Sequence, residues 1–137
     1  MRFIDANVFV HAILRPRKLD REAKNTKERA RSIFNRFNAG EEVLTTIVHT
    51  SEVANVLEDA AGFRFAAEFA RNLLSRANLR VVTVTVEQYL AASELALENE
   101  VGVNDGLAAL IMKEKGLTEA YSFDKHLDRL GVARIID

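Results

Sequence analysis

Asp5, Glu52, Asp105 and Asp124 are the residues of this 137-residue chain best placed to do chemistry. Asp5 closes the apolar opening Arg2-Phe-Ile-Asp, and Asp124 follows Tyr121-Ser-Phe, so both read as the carboxyl ends of buried strands. Asp105 opens one apolar helical pattern, and Glu52 lies one turn into another. Taken singly, each has an ordinary structural explanation, because Asp and Asn are common where strands end and helices begin. Gathered at one end of a sheet, four acids repel one another unless some are protonated or a cation sits among them. Mg2+ or Mn2+ resolves that conflict, since both prefer oxygen ligands and Mg2+ keeps water while taking one or two carboxylates. Water on such an ion yields hydroxide near neutral pH, and the ion also binds phosphate oxygens. Asn7 and Ser122 stand beside the same strand ends and could orient carboxylates or water. Helix capping is an equal alternative for Asn7.

Other chemistries find less support. The chain has no Cys, which excludes disulfides, thiolate metal sites and a cysteine nucleophile. His11, His49 and His126 show no metal-ligand spacing and no carboxylate partner at fixed distance, so they read as partly exposed or satisfied histidines. No glycine-rich phosphate loop is present. Asp128, one turn after Asp124, reads as solvent-exposed.

The elements that must position the acids alternate between strand and helix. Strands are expected at Arg2 to Asp5, Val43 to Thr45, Leu79 to Val86, Glu119 to Phe123 and Val132 to Ile136. Helices are expected after Asn7, over Asn25 to Asn38, Val48 to Ala60, Phe63 to Ala77, Glu87 to Glu98 and Asp105 to Lys115, with Asn104 as the cap of the last. A short helical turn fills Asp124 to Leu130. The apolar stripe of Phe63 to Leu74 is wide, which predicts burial on more than one side and leaves room for a partner face. Apolar strands joined by helical crossovers imply a parallel sheet covered on both faces, with all carboxyl ends on one edge. Ligands bind at that edge, where strand order reverses.

The net charge of −1 conceals an asymmetry. Between Arg15 and Arg31 eight basic residues face three acidic ones. Arg15, Arg17, Lys18, Arg21, Lys24 and Lys27 in that segment are compatible with polyanion binding, against the plainer reading of a solvated loop and helix face. The segment has no aromatic residue, so its contribution would be electrostatic and blind to sequence. The apolar fraction of 48% and charged fraction of 28% fit a folded chain of one domain, residues 1–137. The longest apolar run, Leu107 to Met112, is far short of a membrane span, and Asp5 interrupts the place of a signal peptide's apolar stretch. A cytoplasmic protein with no membrane partner is the expectation.

The segments IDANVFV, SEVANVL, VNDGLAALI and YSFDKHL, in this order and spacing, resemble the PIN-domain family of metal-dependent ribonucleases, especially VapC-type toxins of toxin–antitoxin pairs. The resemblance spans essentially the whole chain. It implies a PIN-like three-layer α/β/α fold with a central parallel sheet of four or five strands. It implies an acidic pocket of Asp5, Glu52, Asp105 and Asp124 with Mg2+ or Mn2+ as cofactor, and matches Asn7 and Ser122 to the polar residues that accompany the acids. The mechanism expected is hydrolysis of RNA phosphodiester bonds with a 3′-hydroxyl leaving group. Asp5, Asp105 and Asp124 would hold metal, and Glu52 would ligate or help deprotonate water. A small antitoxin protein and a second copy of the chain are the implied partners. Ala6 departs from the Thr or Ser of many relatives, and the Arg15 to Lys27 segment is longer than in compact ones. The alternative is a catalytically silent PIN-type module that binds RNA or protein. A phosphatase of the haloacid dehalogenase type would want Asp at position 7, and a receiver domain an acidic pair near the first strand; both fit less well.

Overall fold

A computed structural model describes residues Met1 to Asp137. In chain order the elements are β1 (Arg2–Ile4), α1 (Ala6–Ile13), α2 (Arg21–Asn38), β2 (Val43–Thr46), α3 (Ile47–Ala61), α4 (Phe63–Leu74), β3 (Leu79–Val82), α5 (Val86–Asn99), α6 (Val103–Glu114), β4 (Glu119–Tyr121) and β5 (Ala133–Ile135). A 3-10 helix, Lys125–Leu130, joins the last two strands. All five strands are parallel, in the order β3-β2-β1-β4-β5. The chain starts in the middle of the sheet, builds outward through β2 and β3, then returns to the other side of β1. Strand order therefore reverses between β1 and β4.

The strands are three or four residues long; the inner strands β1, β2 and β4 are largely buried, as a sheet covered by helices requires, whereas the edge strands β3 and β5 carry Arg80 and Arg134. Successive residues split between two cores. Ile4, Val43 and Tyr121 join Val8, Phe9, Ile33, Phe37, Val53 and Leu57 under α1 to α4. Phe3, Leu44 and Ala120 join Ala92, Leu107, Ile111, Met112 and Leu127 under α5, α6 and the 3-10 helix. The result is the expected three-layer α/β/α arrangement.

Local chemistry sets several boundaries away from the expected ones. Asp20 accepts a hydrogen bond from the Ala23 N–H and starts α2 at Arg21 rather than Asn25. Thr85 and Gln88 form a reciprocal capping box, which ends β3 at Val82 and lets α5 begin at Val86. The cap of α1 is Asp5, not Asn7, and the cap of α6 is Gly102, not Asn104. The wide stripe of α4 is a misleading sign of core. This helix packs chiefly on α3 at the β3 edge of the sheet, buries only Ala66 and Leu73, and leaves Phe63 78% exposed.

Close packing of α5 on α6 depends on one residue. A Cβ placed on Gly106 would lie 2.5 Å from the Ala92 carbonyl oxygen of α5, so only glycine allows this approach. Gly106 follows Asp105 directly, and the seating of α6 fixes where that carboxylate stands. The variant Gly106→Ala is expected to lose about 1–3 kcal/mol through overpacking. Urea unfolding of parent and variant measures it, and an unchanged midpoint would show that the two helices part freely.

Candidate metal centre

The carboxyl ends of β1 and β4 meet through one hydroxyl. Ser122 Oγ donates to Asp5 Oδ2 at 2.7 Å and accepts from the Asp124 N–H at 3.0 Å. Asn7, in the first turn of α1, donates through Nδ2 to Asp5 Oδ2 at 3.4 Å and to Ser122 Oγ at 3.3 Å. Its Oδ1 accepts from the Phe123 N–H at 3.2 Å. Asn7 therefore ties the two strand ends together rather than capping the helix. Asp5 itself caps α1, its Oδ1 accepting from the Ala6 N–H at 2.8 Å. Burial raises the Asp5 pKa, and the charge of Asp124 adds to that rise, while the Ser122 and Ala6 hydrogen bonds oppose it.

Asp105 reaches the same place from α6. It occupies the first turn of that helix, and a backbone hydrogen bond from the cap residue Gly102 favours its ionised form. Burial, the charge of Asp124 and a hydrogen bond shared with it, then the charge of Asp5, outweigh this and raise the Asp105 pKa to about 7. Ligand atoms of Asp105, Asp124 and His126 lie within 4.8 Å of one another. His126 is thus the residue that sequence spacing misread: its Nδ1 stands 3.3 Å from Asp124 Oδ1 and 3.9 Å from Asp105 Oδ2. The only signal for it was its place two residues beyond Asp124.

Glu52 is not among the clustered ligand atoms; its one side-chain partner is Asn104, the residue before Asp105. Asn104 Nδ2 donates to Glu52 Oε1 at 2.6 Å, and Asn104 Oδ1 accepts from the Tyr89 hydroxyl at 3.1 Å. His49, three residues before Glu52 on α3, faces the Asn104 carbonyl oxygen through Nε2 at 3.1 Å and Thr46 Oγ1 through Nδ1 at 2.7 Å. A carbonyl only accepts, so Nε2 carries the proton and Nδ1 accepts from the threonine hydroxyl. The imidazole is neutral, satisfied and edge-on to Phe3, and burial keeps its pKa low. Asn104 was expected to cap a helix; it instead joins α3 to α6 beside two acids.

The basic segment borders a cleft of about 1180 Å3 between the end of α1, the start of α2 and the end of α3. Arg15, Arg17 and Lys27 line it together with Asp20, Glu22, Asp59 and Phe123. Lys27 is already committed, since its Nζ donates to the Leu14 carbonyl at 2.6 Å and so satisfies the end of α1. Lys18, Arg21 and Lys24 are exposed and do not line the cleft. Asp128 is exposed and paired with Arg134 at 2.8 and 3.2 Å.

A parallel α/β/α sheet with carboxylates clustered at its switch point defines the class to which comparison with known proteins leads. The PIN domain model matches residues 2–133, and the chain belongs to the PIN-domain family. Among solved structures, the chain is similar to Mycobacterium tuberculosis VapC20, described as a sarcin–ricin loop cleaving toxin, with a TM-score of 0.79, 22% identity and full coverage of both chains. It is also similar to VapBC2 from Rickettsia felis, bound to a DNA fragment from its promoter, and to FitAcB from Neisseria gonorrhoeae. Each of these two has a TM-score of 0.64 and 14% identity, covering 98% of this chain and 96% of the other. No curated protein matches the sequence.

The clustered charge has a consequence for stability. Unfolded, Asp105 loses its proton near 3.8; folded and metal-free, it keeps it to about 7. The native state holds more protons across that window, so this residue's contribution is fully present below about pH 4 and is lost as pH rises to about 7. Asp105→Asn is expected to flatten that decline and to melt higher than the parent at pH 8 without metal. His49, with its lowered pKa, acts in the opposite sense in both proteins and cancels in the comparison, so the difference between their melting curves reports Asp105 together with the acids that share its field, Asp124 and Asp5. Parallel curves from pH 4 to 8 would show that Asp105 is not strained.

Proposed function

We propose that this PIN-domain chain is a divalent-metal-dependent endoribonuclease of the cytoplasm and the toxin of a VapBC-type pair. The observation that carries the reading is the convergence of Asp105 and Asp124 beside buried Asp5, with Asp105 holding a proton to about 7. Such an excess of negative charge suits a cation with oxygen ligands, and the donor set fits Mg2+ or Mn2+. Asp5, Asp105 and Asp124 are the residues that would hold it. When bound, such an ion supplies Lewis acidity toward phosphate oxygens and an acidic water.

The chain's own groups have definable parts in hydrolysis. Ser122 and Asn7 hold the Asp5 carboxylate through Oδ2 and leave it no freedom to rotate. Glu52 gives one oxygen to Asn104 and keeps the other free of protein partners, available to take a proton from an attacking water. Arg15 and Arg17 line a cleft that also carries Asp20, Glu22 and Asp59, and are the proposed contacts for RNA phosphates approaching the acidic centre. Similarity to a toxin that cleaves the sarcin–ricin loop supports RNA as the substrate class. A small antitoxin and a second copy of the chain are the proposed partners, and exposed Phe63, Phe65 and Leu74 on α4 offer them apolar surface.

Incubation of a mixed RNA pool with Mg2+ or Mn2+ tests the proposal. Cleavage is expected from the parent, none with EDTA, and a loss on the order of 100-fold or more in Asp5→Asn and Asp105→Asn. Asparagine is as good a helix cap as aspartate, so Asp5→Asn keeps α1 and its circular dichroism. RNA that is bound but never cut would make the chain a silent binding module. Replacing Arg15 and Arg17 with Gln should make the logarithmic salt dependence of RNA binding shallower by about one for each phosphate that is no longer neutralised. An identical slope would leave the basic segment a solvated loop.

A further inference from the structure

The acidic centre contains one nitrogen donor. The His126 ring faces Asp124 Oδ1 and Asp105 Oδ2 through Nδ1, yet makes no hydrogen bond of its own. Its place is set by backbone: the His126 N–H donates to Asp124 Oδ1 at 2.9 Å, which caps the 3-10 helix, and fully buried Leu127 anchors the next residue. The ring is 53% exposed, so its Nδ1 faces the two carboxylates and solvent alike, as an ion-pair partner or as a ligand open to an ion.

Resting on the metal-centre reading above, we infer that His126 Nδ1 completes a mixed nitrogen and oxygen ligand set with Asp105 and Asp124. This set makes the centre selective for Mn2+ and later first-row ions over Mg2+. The chemistry separates the ions cleanly. Mg2+ is small, demands oxygen and gives up water reluctantly, so an imidazole adds little to its binding. Mn2+, Co2+ and Ni2+ accept imidazole, with affinities that rise in that order at a given site. An all-carboxylate pocket discriminates weakly among hard ions, whereas one correctly placed nitrogen shifts preference without altering the acids.

The experiment uses the full chain and its His126→Ala and His126→Gln variants, titrated calorimetrically with MnCl2 and with MgCl2. Because His126 is solvent-facing, both variants are expected to keep the parent's melting temperature without metal. Removal of the imidazole should weaken Mn2+ binding by about 10-fold or more and Mg2+ binding by less than about 2-fold. Pulsed electron paramagnetic resonance of the Mn2+-loaded parent should show coupling to a nitrogen-14 nucleus that both variants lack. Equal weakening of both ions, unchanged Mn2+ affinity, or no nitrogen coupling in the parent would overturn ligation by His126 and leave the carboxylate centre standing. A parent chain that binds neither ion would overturn the centre itself, and the nuclease proposal with it.

Discussion

Burying a carboxylate against the core is costly unless its oxygens are engaged, and this fold meets that cost at Asp5 with the Ala6 N–H, Asn7 and, most closely, Ser122. Ser122 Oγ serves two partners at once, donating to Asp5 on β1 and accepting from the backbone at Asp124 beyond β4. The ladder between the same strands continues directly beneath, with the Asp5 N–H bonded to the Tyr121 carbonyl at 2.9 Å. A hydroxyl can act in both directions, which an amide nitrogen or a carboxylate cannot do at one atom. Two acids are thereby brought to adjacent strand ends with backbone precision. The sheet topology does the rest, since β1 and β4 are neighbours only where strand order reverses.

Asp105 and Glu52 arrive by a different route. Neither is on the sheet; each rides on a helix start whose placement is set by contacts on its far side. Gly106 lets α6 settle against the Ala92 backbone, and the His49 and Asn104 pair locks that helix to α3. Asn104 uses its backbone carbonyl toward His49 and its side chain toward Glu52 and Tyr89. The histidine suits this role because it is neutral: one nitrogen donates, the other accepts, and no buried charge competes with the acids nearby.

Features carried by short-range pattern were readable from the sequence alone. An apolar run ended by Asp5, and another ended before Asp124, located both strand ends because a buried parallel strand leaves little else for its sequence to show. Asp105 and Glu52 could be placed on helix starts for the same reason. The roles of Asn104 and His126 could not be read, since both depend on partners from other elements: Glu52 and His49 for one, Asp105 for the other. Helix caps failed in the same way. Asn7 and Asn104 are good caps by type, but each had a longer-range partner that competed for its side chain. The exposed flank of α4 was misread because an apolar stripe records what a helix can bury, not whether a neighbour exists to bury it.

Electrostatic strain and the proposed ion binding are linked through the same carboxylates. A site that holds a proton on Asp105 to about 7 without an ion loses folding stability, as pH rises, to the burial of that carboxylate and then to repulsion from Asp124 and Asp5. An ion that binds only the native arrangement restores stability as RT ln(1 + [L]/Kd), about 2.7 kcal/mol at a hundredfold excess over Kd. The fold can tolerate this arrangement because the strain is confined to one edge, above two apolar cores that do not include the acids. Any change that moves α6 would alter both quantities together, since the distance between Asp105 and Asp124 sets the repulsion and would set the grip on the proposed ion alike. In the proposed metal centre, stability without an ion and affinity for one would therefore be opposed properties of one geometry, and Gly106 and Ser122 are where that geometry is held.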